Sequence, residues 1–111
     1  MRLDRKDFDE LMREPLVQWV TLDQARALAQ KGAGLLDVRT EDEFCNGTVK
    51  GSINLPLYQL RRKARELDAK RHYVVFCQTG SRGCAAAFLL SQRGFDVSVL
   101  RGGLTGLAHA A

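Results

Sequence analysis

Apolar and polar positions alternate along this chain in two rhythms, and the rhythm changes every eight to twelve residues. Residues 1–14 give a rough helical stripe through Leu3, Phe8, Leu11 and Met12, closed by Pro15. Val17-Gln18-Trp19-Val20 reads as a strand. Thr21-Leu22-Asp23-Gln24 has the form of a capping box, and Leu22, Ala25, Leu28 and Ala29 follow at helical spacing until Gly32 and Gly34 stop the helix. Leu35-Leu36-Asp37-Val38 is a short apolar strand, residues 40–46 a polar helical turn, and Ile53-Asn54-Leu55 a brief extended piece. Pro56 suits the start of a helix whose buried face is Leu57, Leu60, Ala64 and Leu67. Tyr73-Val74-Val75-Phe76 is continuously apolar, the mark of a strand covered on both faces. A loop, Cys77 to Arg82, leads into a helix through Ala85–Leu90 that ends at Gly94. Val97-Ser98-Val99-Leu100 is the last strand, and Gly102-Gly103 precede a short terminal helix. Strands alternating with helices predict an α/β domain with a parallel sheet covered on both sides.

Composition narrows this picture. One hundred and eleven residues, 45% of them apolar, suffice for one compact domain able to fold without staples. No apolar run approaches the roughly 20 residues that span a bilayer, and the opening residues lack the apolar core of a signal peptide, so a soluble, cytoplasmic protein is expected, with no membrane partner. Seventeen Lys and Arg against thirteen Asp and Glu give a charge of +4. The basic cluster Arg61, Arg62, Lys63 and Arg65 carries no interleaved aromatics, which favours a solvated face over a nucleic-acid surface and leaves small anions as compatible partners. Three cysteines at irregular spacing, Cys45, Cys77 and Cys84, fit free thiols in a reducing compartment. With His72 and His109 they form no close-spaced ligand pair, so no metal site is expected.

The candidate chemistry lies where ligands bind in open α/β sheets, beyond the carboxyl end of a strand. Cys77 directly follows the most apolar strand, and Cys77-Gln78-Thr79-Gly80-Ser81-Arg82 has the makings of an anion cradle. Gly80 permits a tight turn, small residues avoid crowding, and consecutive N–H groups can converge on one point with the positive end of the following helix behind them. Arg82 adds a permanent forked cation. Helix N-termini and nearby cations lower a thiol's pKa from about 8.5 to between about 3.5 and 7.5, which would make such a cysteine a nucleophile without a general base. An isolated cysteine after a strand is more often a small buried hydrophobe; it is the glycine, hydroxyls and arginine in the same loop that reverse that reading. For Cys84, beside Ala85–Ala87, and for Cys45, in a polar turn, packing or exposure without chemistry is expected.

From about Trp19 to His109 these residues resemble a single rhodanese-like domain. Leu36-Asp37-Val38-Arg39 with Glu43-Phe44 resembles the family's first signature, Gly51-Ser52-Ile53-Asn54-Leu55-Pro56 its second, and Val74–Arg82 its active loop. Phe88-Leu89-Leu90, Gly94-Phe95 and Leu100-Arg101-Gly102-Gly103-Leu104 fall where further patterns stand. The resemblance implies a three-layer sandwich with a central, mostly parallel five-stranded sheet and helices on both faces, occupying residues 17–111, with 1–16 a helical lead-in or linker. It also implies sulfur transfer without a cofactor. Cys77 would take a sulfane sulfur from a small anionic donor such as thiosulfate, hold it as a persulfide, and pass it to a thiol or cyanide. Arg82 would orient the donor, while Gln78, Thr79, Gly80, Ser81 and Gly83 would form the cup. Asp37 and Arg39 would brace the site from behind. Three positions depart from the family pattern: Thr48 stands where His is common, Gly83 where Ser usually follows the loop arginine, and Leu107 where Trp is common.

Two other functions use a similar loop. Cysteine phosphatases carry one residue more between Cys and Arg than the four present here, and position 83, where their cation would fall, is glycine. A low-turnover persulfide carrier, or a sulfur sensor serving a fused or partner regulatory domain, would keep the loop unchanged.

Overall fold

A computed structural model describes residues 17–105. The expected lead-in over 1–16, Leu107, His109 and the remainder of the terminal helix lie outside the described residues. Five strands form one sheet: β1 (Gln18–Val20), β2 (Gly34–Asp37), β3 (Ile53–Asn54), β4 (Tyr73–Phe76) and β5 (Val97–Leu100). Their spatial order is β1-β5-β4-β2-β3 and all four pairings are parallel. The helices are α1 (Leu22–Gln30), α2 (Glu41–Cys45), α3 (Leu60–Lys63) and α4 (Ser81–Gln92), with 3-10 turns at Leu57–Gln59 and Ala64–Glu66.

Period-two alternation along the central strand sorts the core into two layers. Tyr73 and Val75 point to one face, where they meet Leu36, Val38, Leu60, Ala64, Ala86, Ala87, Leu90 and Val99. Val74 and Phe76 point to the other and pack with Ala25 and Leu100, and against Leu22 and Leu28 of α1. Burial on both faces explains why β4 carries no charged side chain and why its one hydroxyl, on Tyr73, accepts from Asp68 N–H; each large apolar side chain so placed contributes about 1.5–3 kcal/mol. Cys77 continues the phase of Tyr73 and Val75 and therefore belongs to the α4 side of the sheet.

The capping box expected at Thr21 is present, with Gln24 N–H donating to Thr21 Oγ1 and Thr21 N–H donating to Gln24 Oε1. A second box, Thr40 with Glu43, starts α2. Two boundaries differ from the sequence pattern. The single helix expected after Pro56 divides into 3-10, α and 3-10 turns, because Leu60 and Ala64 alone are drawn fully into the core while the basic positions between them stay in water. The helix expected from Ala85 begins four residues earlier, at Ser81, so Ser81 and Arg82 belong to its first turn. The strand order places the switch point between β2 and β4: the chain leaves β2 toward β3 and leaves β4 toward β5, opening a crevice between their carboxyl ends.

Candidate active site

At that crevice the thiol of Cys77 takes the place of a helix cap. Gly80 precedes α4 and offers no side-chain cap to its free N–H groups. Cys77 Sγ does so instead, accepting from Gly80 N–H at 3.1 Å and from Gly83 N–H at 3.2 Å. Gly83 is the third residue of the helix, so the sulfur occupies the position where a capping oxygen normally sits, at the positive end of the α4 dipole. Gly80 reaches this arrangement with φ +131°, a conformation L side chains rarely adopt. Gln78, Thr79 and Ser81 are exposed around the sulfur, whereas Cys77 itself has no exposed surface.

Beneath the loop lies a buried ionic brace. Asp37, at the end of β2, is completely buried. Its carboxylate accepts from Arg39 N–H at 3.0 Å, Arg39 Nε at 3.0 Å, Arg39 Nη2 at 2.8 Å and Thr48 Oγ1 at 2.8 Å. Arg39 also donates to the Gly47 carbonyl at 2.6 Å and, at 3.4 Å, toward Gln78 Oε1 in the loop. A bare buried charge would be costly; here every nitrogen of the guanidinium and both carboxylate oxygens have a partner, and no buried side-chain N or O atom among the described residues is left unpaired. Thr48, where a histidine is common in the resembling family, thus ties the brace to the α2–β3 connection. Asn54 Nδ2 donates to the carbonyls of Asp37 and Arg39, both at 3.0 Å, and fixes the end of β2.

Arg82 is held from the opposite side. Its Nη1 and Nη2 donate to Glu43 Oε1 and Oε2 at 2.7 and 3.0 Å, a two-pronged pair between α4 and α2. That bond, with a second from Thr40 N–H, draws the Glu43 carboxyl down to about 2, and Glu43 in return raises the Arg82 pKa. The cavity beside Arg82, about 280 Å³ and lined by Val38, Thr40, Pro56, Leu57 and Tyr58, lies at the same end of the sheet.

A third support comes from the turn after β5. Leu104 N–H donates to the Cys77 carbonyl at 3.0 Å, and Thr105 donates to the Gln78 carbonyl through both N–H and Oγ1 at 2.9 Å. Gly103 lies so close behind the loop that a Cβ there would collide with the Cys77 carbonyl oxygen.

All the residues singled out from the sequence therefore gather at one place. Cys77, Gln78, Thr79, Gly80, Ser81, Arg82 and Gly83 form the loop and first helical turn, with Asp37 and Arg39 beneath them. Sequence reasoning gave no role to Thr105, noted Thr48 only as a departure from the family pattern, and placed Glu43, Asn54 and Gly103 only within signatures. The Gly102-Gly103 pair was the one local signal that could have found its part of the site. Cys45 is exposed and Cys84 half-buried, and both thiols are free. His72 is half-buried at the far end of the sheet, against Ser98 Oγ at 2.8 Å and Asp96 at 3.0 Å, and takes no part here. No group of three or more His, Cys, Asp or Glu able to hold a metal exists among the described residues.

Comparison with known proteins agrees with this geometry. Residues 21–110 match the rhodanese-like domain. The chain is 37% identical to the thiosulfate sulfurtransferase GlpE of Pseudomonas syringae, over 73% of this chain and 77% of that protein. It is 32% identical to the human thiosulfate:glutathione sulfurtransferase, over 68% of this chain and 79% of that protein. A rhodanese-related protein from Thermoplasma volcanium superposes with a TM-score of 0.78 at 30% identity, covering 85% of this chain and 93% of that one.

Proposed function

The chain belongs to the rhodanese-like domain family and is a sulfurtransferase, and from that premise we propose that Cys77 carries the sulfur as a persulfide. The Cys77 thiolate attacks the sulfane sulfur of thiosulfate, the S–S bond of the donor breaks, and its electron pair leaves with sulfite. The persulfide then gives its outer sulfur to a thiolate or cyanide, and the Cys77 thiolate is restored. Each step passes one neutral sulfur atom from a leaving nucleophile to an attacking one, with no external oxidant or reductant consumed, so no cofactor is required. The pair of N–H groups aimed at Cys77 Sγ carries this reading, since such donors stabilise negative sulfur before and after each step. The N–H groups of Ser81 and Arg82, in the first turn of α4, have no carbonyl one turn behind them and suit the outer sulfur or a donor oxygen. Gln78, Thr79, Gly80, Ser81 and Gly83 shape the cup, Arg82 orients the anionic donor, and Asp37 with Arg39 holds the loop from below.

Free thiols and a mechanism resting on one reduced sulfur favour a reducing compartment, and the cytoplasm is the location proposed. No helix among the described residues is long and apolar enough to cross a membrane. The full burial of Cys77 favours, as a second reading, a slow persulfide carrier or sulfur sensor serving a fused or partner domain. Mass spectrometry after thiosulfate treatment tests the shared step: an adduct of about 32 Da, one sulfur atom, is expected on the wild type, Cys45→Ser and Cys84→Ser and lost in Cys77→Ser. An adduct that survives Cys77→Ser refutes the assignment. Continuous thiocyanate production with cyanide then separates the enzyme from the carrier, and hydrolysis of an aryl phosphate would point to a phosphatase instead.

A further inference from the structure

Glu43, in α2, takes both terminal nitrogens of Arg82, the forked edge that an anion's oxygens would otherwise bind. The two-pronged bond uses one N–H from each terminal nitrogen, at 2.7 and 3.0 Å, and leaves the Nε edge of Arg82 unengaged by it. Below them, Asp37 and Arg39 form another one-to-one pair at 2.8 Å. Two guanidinium groups at the rim and floor of the loop are therefore each matched by a carboxylate. What draws an anion to this cup is then the fixed dipoles of the α4 N-terminus, together with the Nε edge of Arg82, its charge reduced by Glu43.

We propose that Glu43 sets the charge selectivity of the site, by cancelling the field of Arg82 and so reducing the advantage of a doubly charged sulfur donor over a singly charged one. This rests on the reading of Cys77 as the sulfur acceptor. The physical basis is that a fixed charge acts on a donor in proportion to the donor's charge, so the logarithm of the rate change scales with it. Glu43 keeps its charge throughout the neutral range, because Arg82 and the Thr40 N–H hold its pKa far below neutrality. The selectivity is thus a permanent feature of the site and no pH switch.

The test compares persulfide formation from thiosulfate, a dianion, and from methanethiosulfonate, a monoanion that delivers the same sulfur and releases methanesulfinate. Glu43→Gln is the informative variant, because glutamine can cap α2 from the same position, as Gln24 does for α1. Loading of Cys77 in Glu43→Gln is expected to speed up about tenfold with thiosulfate and about threefold with methanethiosulfonate, and both gains should shrink as ionic strength rises. Asp42→Asn, the same charge change on the exposed neighbour, should alter neither rate. Equal gains with the two donors, a loss with both, or no change overturns the proposal, as does an Asp42→Asn gain as large as that of Glu43→Gln. A melting curve of each variant accompanies the rates. Should Glu43→Gln fail to fold, Glu43→Ala read for the donor ratio alone replaces it. Failure of the wild type to load from either donor would instead refute the role of Cys77, leaving the two failures distinguishable.

Discussion

The close packing of Gly103 against the main chain of the loop gives the site its sharpest stability test. Gly103 has φ +56°, and a Cβ there would run into the Cys77 carbonyl oxygen and lie 2.9 Å from both the carbonyl carbon and oxygen of Gln78. All three are main-chain atoms, which cannot rotate away as a side-chain end could. Gly103→Ala must therefore push the turn off the loop. The left-handed conformation itself costs a residue with a Cβ about 1–2 kcal/mol. Separation weakens Leu104 N–H to Cys77 and Thr105 N–H to Gln78, at about 0.5–1.5 kcal/mol each. The sum is about 2–5 kcal/mol, and at about 4–8 °C per kcal/mol it lowers Tm by at least roughly 8 °C. Gly94 supplies the control: it has φ +89° with nothing within 4 Å of its Cβ position, so Gly94→Ala carries the conformational cost alone. Thermal melts should order the variants Gly103→Ala well below Gly94→Ala, itself modestly below wild type. At a temperature where all are folded, persulfide formation should be slowed in Gly103→Ala only. If Gly103→Ala melts with Gly94→Ala and takes up sulfur at the wild-type rate, the turn after β5 does not brace the loop.

Other outcomes follow from the charges around it. Asp37→Asn leaves Arg39 buried with a weakened partner and should cost about 3–5 kcal/mol, read as a lower urea midpoint at unchanged m; a loss below about 1 kcal/mol would show the brace to be dispensable. The folded-state pKa of Glu43 lies at about 2, below its ordinary 4.5, so its stabilising effect is complete above about 4.5 and fades as the pH falls toward 2. Its carboxylate is one-third exposed, so solvent screening makes this effect smaller than the shift alone suggests. Melts across that window should show the wild type losing its lead over Glu43→Gln; parallel curves would mean the pair adds nothing to folding.

The chain's own pattern was enough to predict the layers and to single out the loop at Cys77. Four consecutive apolar residues at Tyr73–Phe76 require a strand covered on both faces, and their alternation fixes which side Cys77 takes. Glycine and small residues ahead of an apolar helix give the loop its cradle, because backbone freedom and helix termini are local properties that a short stretch specifies. What the tertiary structure alone decided is what the cradle rests on. Glu43 and Arg82 meet across 39 residues, Thr105 and Gln78 across 27, and Thr48 and Asp37 across 11. Such pairs depend on which strand ends come to lie side by side, and the order β1-β5-β4-β2-β3 cannot be read from residue spacing. The same holds for the burial of Cys77 and for the broken helix after Pro56, since both record how tightly neighbouring layers close over a segment, a property of the assembled core that no single stretch of sequence contains.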